Sequence, residues 1–243
     1  MFVHYRTLGI IIKKENRGEA NQLLTIITKD FGKVKILAKA IRKIKSKLKS
    51  GVPLFSLSEI NFIQGKRYKI LTDAIREKKF TNINSDLNKL RIVTEIGENI
   101  DFLLREGEKE EEVWKLALKT FYKIDESTDS NFDFLIYHYF FWNLLVFLGY
   151  KPELVNCSSC QRRLAPSNLY FDSNQGGVIC SSCFEKLRSG ERIDPETVKV
   201  VRFLIKEDWE ELEKLRIDRS HKKELKKISN VYLSYFKDIL NPL

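Results

Sequence analysis

The first 80 residues alternate short apolar runs with polar turn segments. Five runs are rich in β-branched and aromatic residues, and they lie at residues 1–12, 22–28, 33–39, 53–63 and 68–74. Such runs predict β-strands. Gly18 and the segments 30–33 and 64–67 supply turns between them. Five short strands in so small a region predict a closed, five-stranded OB-fold barrel.

Beyond residue 84 the apolar positions follow a helical period. The pattern predicts helices over 85–104, 108–123, 132–149 and 219–240, and another that begins at Pro195. Asn84 or Ser85 is the expected cap of the first helix, and Asp194 precedes Pro195 as a second cap. The helix over 132–149 is apolar on every face, which is typical of the buried centre of a bundle. His138 within it is interpreted as a hydrogen-bonded core residue rather than a ligand.

All four cysteines lie in one segment, as Cys157-Ser-Ser-Cys160 and Cys180-Ser-Ser-Cys183. Two Cys-x-x-Cys hooks at this spacing are typical of a zinc site. Each hook directs two thiolates to one point, and four thiolates fill the tetrahedron of Zn²⁺ without leaving a position for water or substrate. We therefore predict one structural zinc ion, bound by Cys157, Cys160, Cys180 and Cys183.

Three other interpretations of these cysteines compete with zinc. Two disulfides are possible, although a reducing cytosol disfavours them. A redox Cys-x-x-Cys pair is expected beside a βαβ pattern, which the sequence does not display. An iron–sulfur cluster can be held by a similar ligand set.

Together these patterns predict an α+β, multidomain protein. Residues 1–80 are expected to form the OB-fold barrel, which would bind nucleic acid. Residues 81–243 are expected to form a mainly α-helical body, with the four-cysteine zinc finger inserted at about 154–190.

Charge is distributed unevenly along the chain. The net charge is +10, and residues 1–80 carry 19 Lys and Arg against six Asp and Glu. Within them, residues 39–49 contain six basic residues between the third and fourth strands. A basic loop on a barrel rim is suited to tracking a phosphate backbone without reading sequence. The alternative is a lysine-rich surface that serves only solubility.

Aromatic side chains can add base stacking to such a surface. Phe31, Phe55, Phe62 and Tyr68 are available, and Phe55 and Phe62 are interpreted as core residues of the barrel. No stacking residue is assigned.

The sequence lacks the usual catalytic motifs. No P-loop, His-Glu-x-x-His or Gly-x-Ser-x-Gly motif is present. The zinc deaminase pattern needs His-x-Glu beside its cysteines, and that is missing as well. We predict a binding protein rather than an enzyme. No apolar run of about 20 residues and no signal-peptide pattern is present, so we expect a cytoplasmic protein.

Several motifs resemble those of the bacterial RecO family of DNA repair and recombination mediators, over essentially the whole chain. The N-terminal motifs are Arg17-Gly18-Glu19, the segment 28–33 and Ala38-Lys39-Ala40-Ile41-Arg42. The second block runs from Leu145 through Leu148-Gly149-Tyr150 to the first hook, and continues with Gly176-Gly177 and the second hook. Two positions depart from the family pattern. Ala40 stands where the family usually has glycine, and Gln161 stands where glycine often follows the hook.

The resemblance implies binding of single- and double-stranded DNA, annealing of complementary strands, and help in loading RecA onto DNA coated with single-strand-binding protein. It implies RecR and the C-terminal tail of single-strand-binding protein as partners, RecA as an indirect one, and a nucleoid-associated location. The alternative is an RNA-binding OB/zinc-ribbon factor of translation or transcription.

A set of basic residues is the hypothetical DNA-binding surface. Its members are Lys33, Lys35, Lys39, Arg42, Lys43, Lys45, Lys47, Lys49, Lys66 and Arg67.

Overall fold

Five strands close into a barrel near the N-terminus. They are β1 (His4–Arg17), β2 (Asn21–Thr28), β3 (Gly32–Ala38), β4 (Ser56–Gln64) and β5 (Lys69–Lys79). The structure is a computed structural model that describes residues 3–206 and 209–240. The strand order around the barrel is β1-β2-β3-β5-β4, with β3 and β5 paired in parallel. This closed ring confirms the predicted OB-like barrel.

The barrel interior is filled by alternate residues of the strands. Its fully buried members include Ile11, Leu24, Ile26, Val34, Ile36, Ile60 and Phe62. Each aliphatic side chain buried in this way contributes roughly 1.5–3 kcal/mol to folding. Phe62 lies in the barrel core, as predicted. Phe55 is equally buried, at 2% exposure, but its ring faces Phe121 outside the barrel, so its interpretation as a barrel-core residue was wrong.

Strand β1 is longer than its apolar pattern predicts. The polar residues from Lys13 to Arg17, expected to be a connector, pair with β2 in the register Lys14↔Leu24 and Arg17↔Asn21. A register shift between Ile11 and Lys13 lets the strand bend there. The prediction was wrong because backbone pairing to an apolar neighbour extends the strand without requiring apolar side chains. Met1 and Phe2, which the prediction included, lie outside the described residues.

Three helices follow the barrel, α1 (Thr81–Ser85), α2 (Leu87–Leu103) and α3 (Glu111–Glu126). The predicted cap of the long helix was wrong by one or two residues. Asp86 is the cap, and its carboxylate accepts hydrogen bonds from the amides of Asn88 and Lys89 at 2.8 and 3.2 Å. The predicted caps, Asn84 and Ser85, belong to the short helix α1 instead.

The rest of the chain is mainly helical. Its elements are α4 (Ser130–Phe147), β6 (Leu169–Asp172), β7 (Gly177–Ile179), α5 (Ser181–Leu187), β8 (Glu191–Ile193), α6 (Pro195–Leu204), α7 (Trp209–Lys214) and α8 (Arg219–Leu240). The three strands form a small sheet in the order β7-β6-β8. Asp194 caps α6 as predicted, because its carboxylate accepts from the Glu196 amide at 2.8 Å.

His138 of α4 is a core residue, as predicted. It is 1% exposed, and its Nδ1 lies 3.1 Å from the hydroxyl oxygen of Ser229 on α8. Burial, with a smaller effect of Lys226, lowers the pKa of His138 to about 3. The side chain therefore stays neutral at physiological pH and joins two helices by a hydrogen bond.

The chain divides into two compact units, Met1–Asp133 and Phe134–Leu243. Helices α1 to α3 thus belong with the barrel by their contacts, and the domain boundary at residue 80 stays a prediction. Among the described residues, the helices are too short or too polar to cross a bilayer.

Candidate metal centre and nucleic-acid interface

The two cysteine hooks come from different kinds of local structure. Cys157–Cys160 is a tight loop, closed by hydrogen bonds from the Cys157 amide to Arg162 O and from the Gln161 amide to Cys157 O, both 2.8 Å. In the second hook, Cys180 follows strand β7 and caps helix α5, and Cys183 lies in the first turn of that helix.

Close backbone contact with strand β7 brings the hooks together. The amide of Ser158 donates to Val178 O at 2.9 Å, and the amide of Val178 donates to Glu153 O at 2.8 Å. Gly177 permits this approach, because a Cβ there would lie 2.2 Å from Glu153 O. Gly177, part of the Gly176-Gly177 motif, therefore allows the finger to close.

The four sulfur atoms form one cluster. All lie within 4.8 Å of one another, and Cys160 Sγ is 4.0 Å from Cys180 Sγ. Sulfurs held at about 2.3 Å around tetrahedral zinc would be about 3.8 Å apart. Cys157 and Cys183 are buried, and the other two are half-buried. The cluster therefore has the donor atoms and the spacing to bind one metal ion.

Local dipoles favour the thiolate form of the first hook. Burial raises the pKa of Cys157, but the amides of Cys160, Cys180 and Ser159 outweigh it and hold that pKa below its ordinary value. The Arg162 guanidinium donates to Cys160 Sγ at 3.5 Å, and it is the main cause that lowers the pKa of Cys160 to about 6. Since metals bind thiolates, these contacts prepare the hook for a cation.

An apolar shell surrounds the sulfurs. Tyr170 and Phe184 stack with ring centroids 3.7 Å apart and an interplanar angle of 3°. Together with Leu164 and Ile179 they pack against the cysteines. The shell is small, so the two hooks have few apolar contacts around the sulfurs, whereas Phe171 between them packs against Trp142 and Tyr232.

Six of the predicted DNA-binding residues lie together on one loop of the barrel. We call residues 39–51 the basic loop. Its cations are exposed, and they are Lys39, Arg42, Lys43, Lys45, Lys47 and Lys49. The Arg42 guanidinium also donates to Gly18 O at 3.3 Å. The loop therefore presents a row of charges beside the β1–β2 turn.

The remaining exposed cations lie at the other end of the barrel. Lys66 and Arg67 are in the turn between β4 and β5. Strand β5 begins opposite Ile36 and runs parallel to β3, so the turn that precedes β5 lies towards the beginning of β3. The basic loop follows the opposite end of β3. Lys35, on β3, is half-buried. The structure therefore divides the eight exposed members of the predicted set into a main group of six on the basic loop and a smaller group of two.

Lys33 has a different environment from the other nine. It is 6% exposed; its ammonium donates to the backbone oxygen of Asp101 and lies 3.4 Å from the Asp101 carboxylate. Burial lowers the pKa of Lys33 despite that carboxylate. Lys33 therefore joins β3 to α2, and we leave it out of the proposed DNA surface. The alternating pattern of β3 did not reveal this, because α2 covers a side chain that the isolated strand would expose.

Lys14 lies near the basic loop, although the predicted DNA-binding set does not include it. It is half-buried on β1, and burial first and the charge of Lys49 second lower its pKa. Two neighbouring ammonium groups repel each other unless an anion lies between them. The pairing of β1 with β2 carries Lys14 to the basic loop, and the linear sequence contains no signal of that proximity.

Aromatic side chains gather at the end of the barrel that carries Lys66 and Arg67. Tyr5 stacks on Phe62 with centroids 5.2 Å apart, and Phe31 meets both rings edge-on. Arg67 lies 5.5 Å from the centroid of the Tyr68 ring. Tyr5, Phe31 and Tyr68 remain half-buried, so part of each ring is accessible.

Family models match almost the whole chain. The model described as Recombination protein O N terminal matches residues 1–78, and Recombination protein O C terminal matches residues 84–236. The chain belongs to the RecO family. This assignment confirms the resemblance found in the sequence motifs, and it supports the prediction of a repair and recombination protein that is not an enzyme.

Curated RecO proteins align along nearly their full length. One from Dehalococcoides mccartyi, named DNA repair protein RecO, is 32% identical over 221 residues, 91% of this chain and 86% of that protein. DNA repair protein RecO of Desulfitobacterium hafniense is 27% identical over 94% of this chain and 83% of its own. That of Alkaliphilus metalliredigens is 26% identical over 97% and 95%.

The two departures from the RecO pattern share a backbone conformation. Ala40 and Gln161 have φ angles of +53° and +61°. This left-handed region is open to glycine and costs other residues roughly 1–2 kcal/mol. A hydrogen bond from the Ala40 amide to Asn21 Oδ1 at 2.8 Å helps to hold the strained turn at the start of the basic loop.

Replacing Ala40 with glycine is therefore expected to stabilise the protein. Removal of the Cβ relieves the left-handed strain, and the greater freedom of glycine in the unfolded chain offsets part of the gain. We therefore expect the free energy of unfolding to increase by about 0.5–1 kcal/mol. Urea unfolding followed by circular dichroism measures this free energy. Ala20→Gly, on the neighbouring turn with ordinary φ, is the matched control and is expected to destabilise. Equal losses in both variants would contradict the strain at Ala40.

Proposed function

We propose that this RecO-family protein is a DNA repair and recombination mediator that binds single- and double-stranded DNA largely without sequence preference and anneals complementary strands. The observation that carries the proposal is the basic loop, a row of exposed cations on an OB-like barrel. Annealing requires no covalent step. It requires that two polyanions approach closely enough to pair, and a cationic surface that neutralises both backbones allows this.

The charges of the loop support backbone contact rather than base reading. Among the described residues, none of the six loop cations forms an ion pair with a carboxylate, so their ammonium and guanidinium groups are available to phosphate. Contacts to phosphate are independent of sequence, and each one releases counterions. With about five contacts to a single strand, the logarithm of the binding constant is expected to fall with the logarithm of salt with a slope of about −3.5.

The four-cysteine cluster is proposed to hold one structural Zn²⁺. Cys157, Cys160, Cys180 and Cys183 supply four thiolates, a set that suits a soft tetrahedral cation. The ion would contribute a cross-link between the loop of the first hook and helix α5. All four ligands come from protein, so the ion is not a catalyst in this proposal.

Protein partners are proposed from family membership. We expect RecR and the C-terminal tail of single-strand-binding protein to bind the protein, and the complex to assist RecA loading on DNA coated with single-strand-binding protein. The chemistry of the described surface supports DNA binding directly, whereas these partners rest on the family.

Strand annealing tests the proposed function. Two complementary labelled oligonucleotides are mixed with the protein, without ATP, at low and high salt. We expect protein-dependent acceleration that falls as salt rises. Absence of acceleration despite DNA binding would reject annealing, and tighter binding to structured RNA than to single-stranded DNA would favour an RNA-binding factor instead.

A further inference from the structure

Ile44 is an apolar residue at the tip of the basic loop. The residue is 100% exposed and lies between the exposed cations Lys43 and Lys45. Single exposed aliphatic residues are common on protein surfaces. Ile44 differs because charged neighbours that suit a polyanion surround it, and because the loop holds it away from the protein.

The loop is anchored on both sides of Ile44. Ile41 and Val52 are 2% and 0% exposed and belong to the barrel core, and Leu48 packs against the same core. The amide of Arg42 donates to Ala20 O at 3.0 Å. A flexible loop could fold an isoleucine back onto the barrel, but these anchors leave Ile44 little chain with which to do so.

A tight turn fixes the direction of the tip. The amide of Ser46 donates to Lys43 O at 3.0 Å, which makes Ile44 and Lys45 the two central residues of a four-residue turn. Central turn positions are usually occupied by polar residues, Gly or Pro. An isoleucine there gains no packing from the fold, so its apolar surface is available to a ligand.

The ligand must accept both an apolar side chain and several cations. An apolar pocket of a protein would have to place acidic groups around it to match the flanking lysines. A nucleic acid strand has both features in its repeating unit, since phosphates lie outside and the faces of unstacked bases are apolar. Apolar wedges such as isoleucine insert between base steps in several nucleic-acid-binding proteins.

We propose that Ile44 inserts against the bases of single-stranded DNA while the flanking cations hold its phosphates. The inference rests on the proposed function and adds a base contact to what is otherwise a backbone-binding surface. Insertion separates neighbouring bases without using their hydrogen-bonding edges. A strand held in this way keeps those edges free for a complementary strand.

An abasic strand tests this proposal. An oligonucleotide with abasic sites retains every phosphate and lacks the bases that Ile44 would contact. Binding of the intact and abasic strands is compared for the wild type, Ile44→Ser and Leu87→Ser. Leu87, at the start of α2, is 84% exposed and serves as the matched control. Thermal unfolding of each variant checks that the fold is unchanged.

We expect the wild type and Leu87→Ser to bind the intact strand about fivefold more tightly than the abasic one, a typical gain from partial burial of an isoleucine. Ile44→Ser should bind both strands equally, with the affinity of the wild type for the abasic strand. The dependence of the binding constant on salt concentration should not change in Ile44→Ser, because the substitution removes no charge. Ile44→Trp, with a larger face, should increase the preference for the intact strand.

An unchanged preference for the intact strand in Ile44→Ser would overturn the base contact and leave the proposed function intact. An effect of Ile44→Ser confined to duplex DNA would overturn it as well. If the wild type binds neither strand at low salt, the proposed function itself fails, and the inference falls with it.

Discussion

Cys180→Ser is expected to release the metal ion and to unfold the finger over residues 157–183. The sulfurs of the cluster lie within 4.8 Å of one another with only a small apolar shell around them. The free energy of metal binding is therefore expected to supply much of the free energy that keeps the hooks folded. In finger peptides structural zinc contributes about 10–16 kcal/mol at neutral pH. That is comparable to the whole stability of a domain, about 5–15 kcal/mol.

Metal content and protease sensitivity measure this effect. Wild-type protein should contain one zinc ion per chain and resist cleavage between the hooks, whereas Cys180→Ser should contain little zinc and be cut there. Ser182→Ala is the matched control, since it alters the same hook at an exposed residue without removing a sulfur. A chelator added to wild-type protein should reproduce the variant. A Cys180→Ser protein with full metal content and an intact finger would show that the site is not a four-sulfur centre.

Neutralising the tip of the basic loop is expected to weaken single-stranded DNA binding by roughly two to three orders of magnitude at 0.1 M salt, through loss of about four phosphate contacts. The variant replaces Lys43, Lys45, Lys47 and Lys49 with glutamine. All four are exposed, so the fold should not change. The slope of the logarithm of the binding constant against the logarithm of salt should become shallower by about 2.8, at about 0.7 for each contact.

A control with the same change in net charge separates local contact from long-range attraction. Glutamine at Lys186, Lys223, Lys226 and Lys237 removes four exposed cations from helices α5 and α8. We expect this variant to keep the wild-type slope and most of its affinity. Fluorescence anisotropy over a range of salt concentrations measures both. If the two variants lose equal affinity and slope, the basic loop is not the principal contact.

The barrel shows how far local pattern predicts a fold. Runs rich in β-branched and aromatic residues identified all five strands, because such side chains suit the half-buried surface of a sheet. The ends of the strands were less predictable. Residues 13–17 continue β1 because β2 offers them backbone partners, and this pairing depends on a neighbour distant in sequence rather than on the residues themselves.

Charge shows the same division between local and tertiary information. The sequence identified the basic loop, because six cations within eleven residues remain close whatever the fold. It could not distinguish Lys33 from Lys35, since only the packing of α2 on β3 buries the first against Asp101. Lys14 was missed for the converse reason, as strand pairing brings it to Lys49 from a distant part of the chain.

By itself the sequence predicted the four-cysteine cluster, the excess of cations in the barrel, the family, the five barrel strands and the long helices. Each of these depends on the chemistry and spacing of residues near one another in the chain. Only the tertiary structure decided which cations are exposed, that the two departures from glycine fall at left-handed positions, and that Ile44 extends from an anchored loop. Those properties depend on contacts between distant segments, because burial and backbone strain arise only when the chain folds.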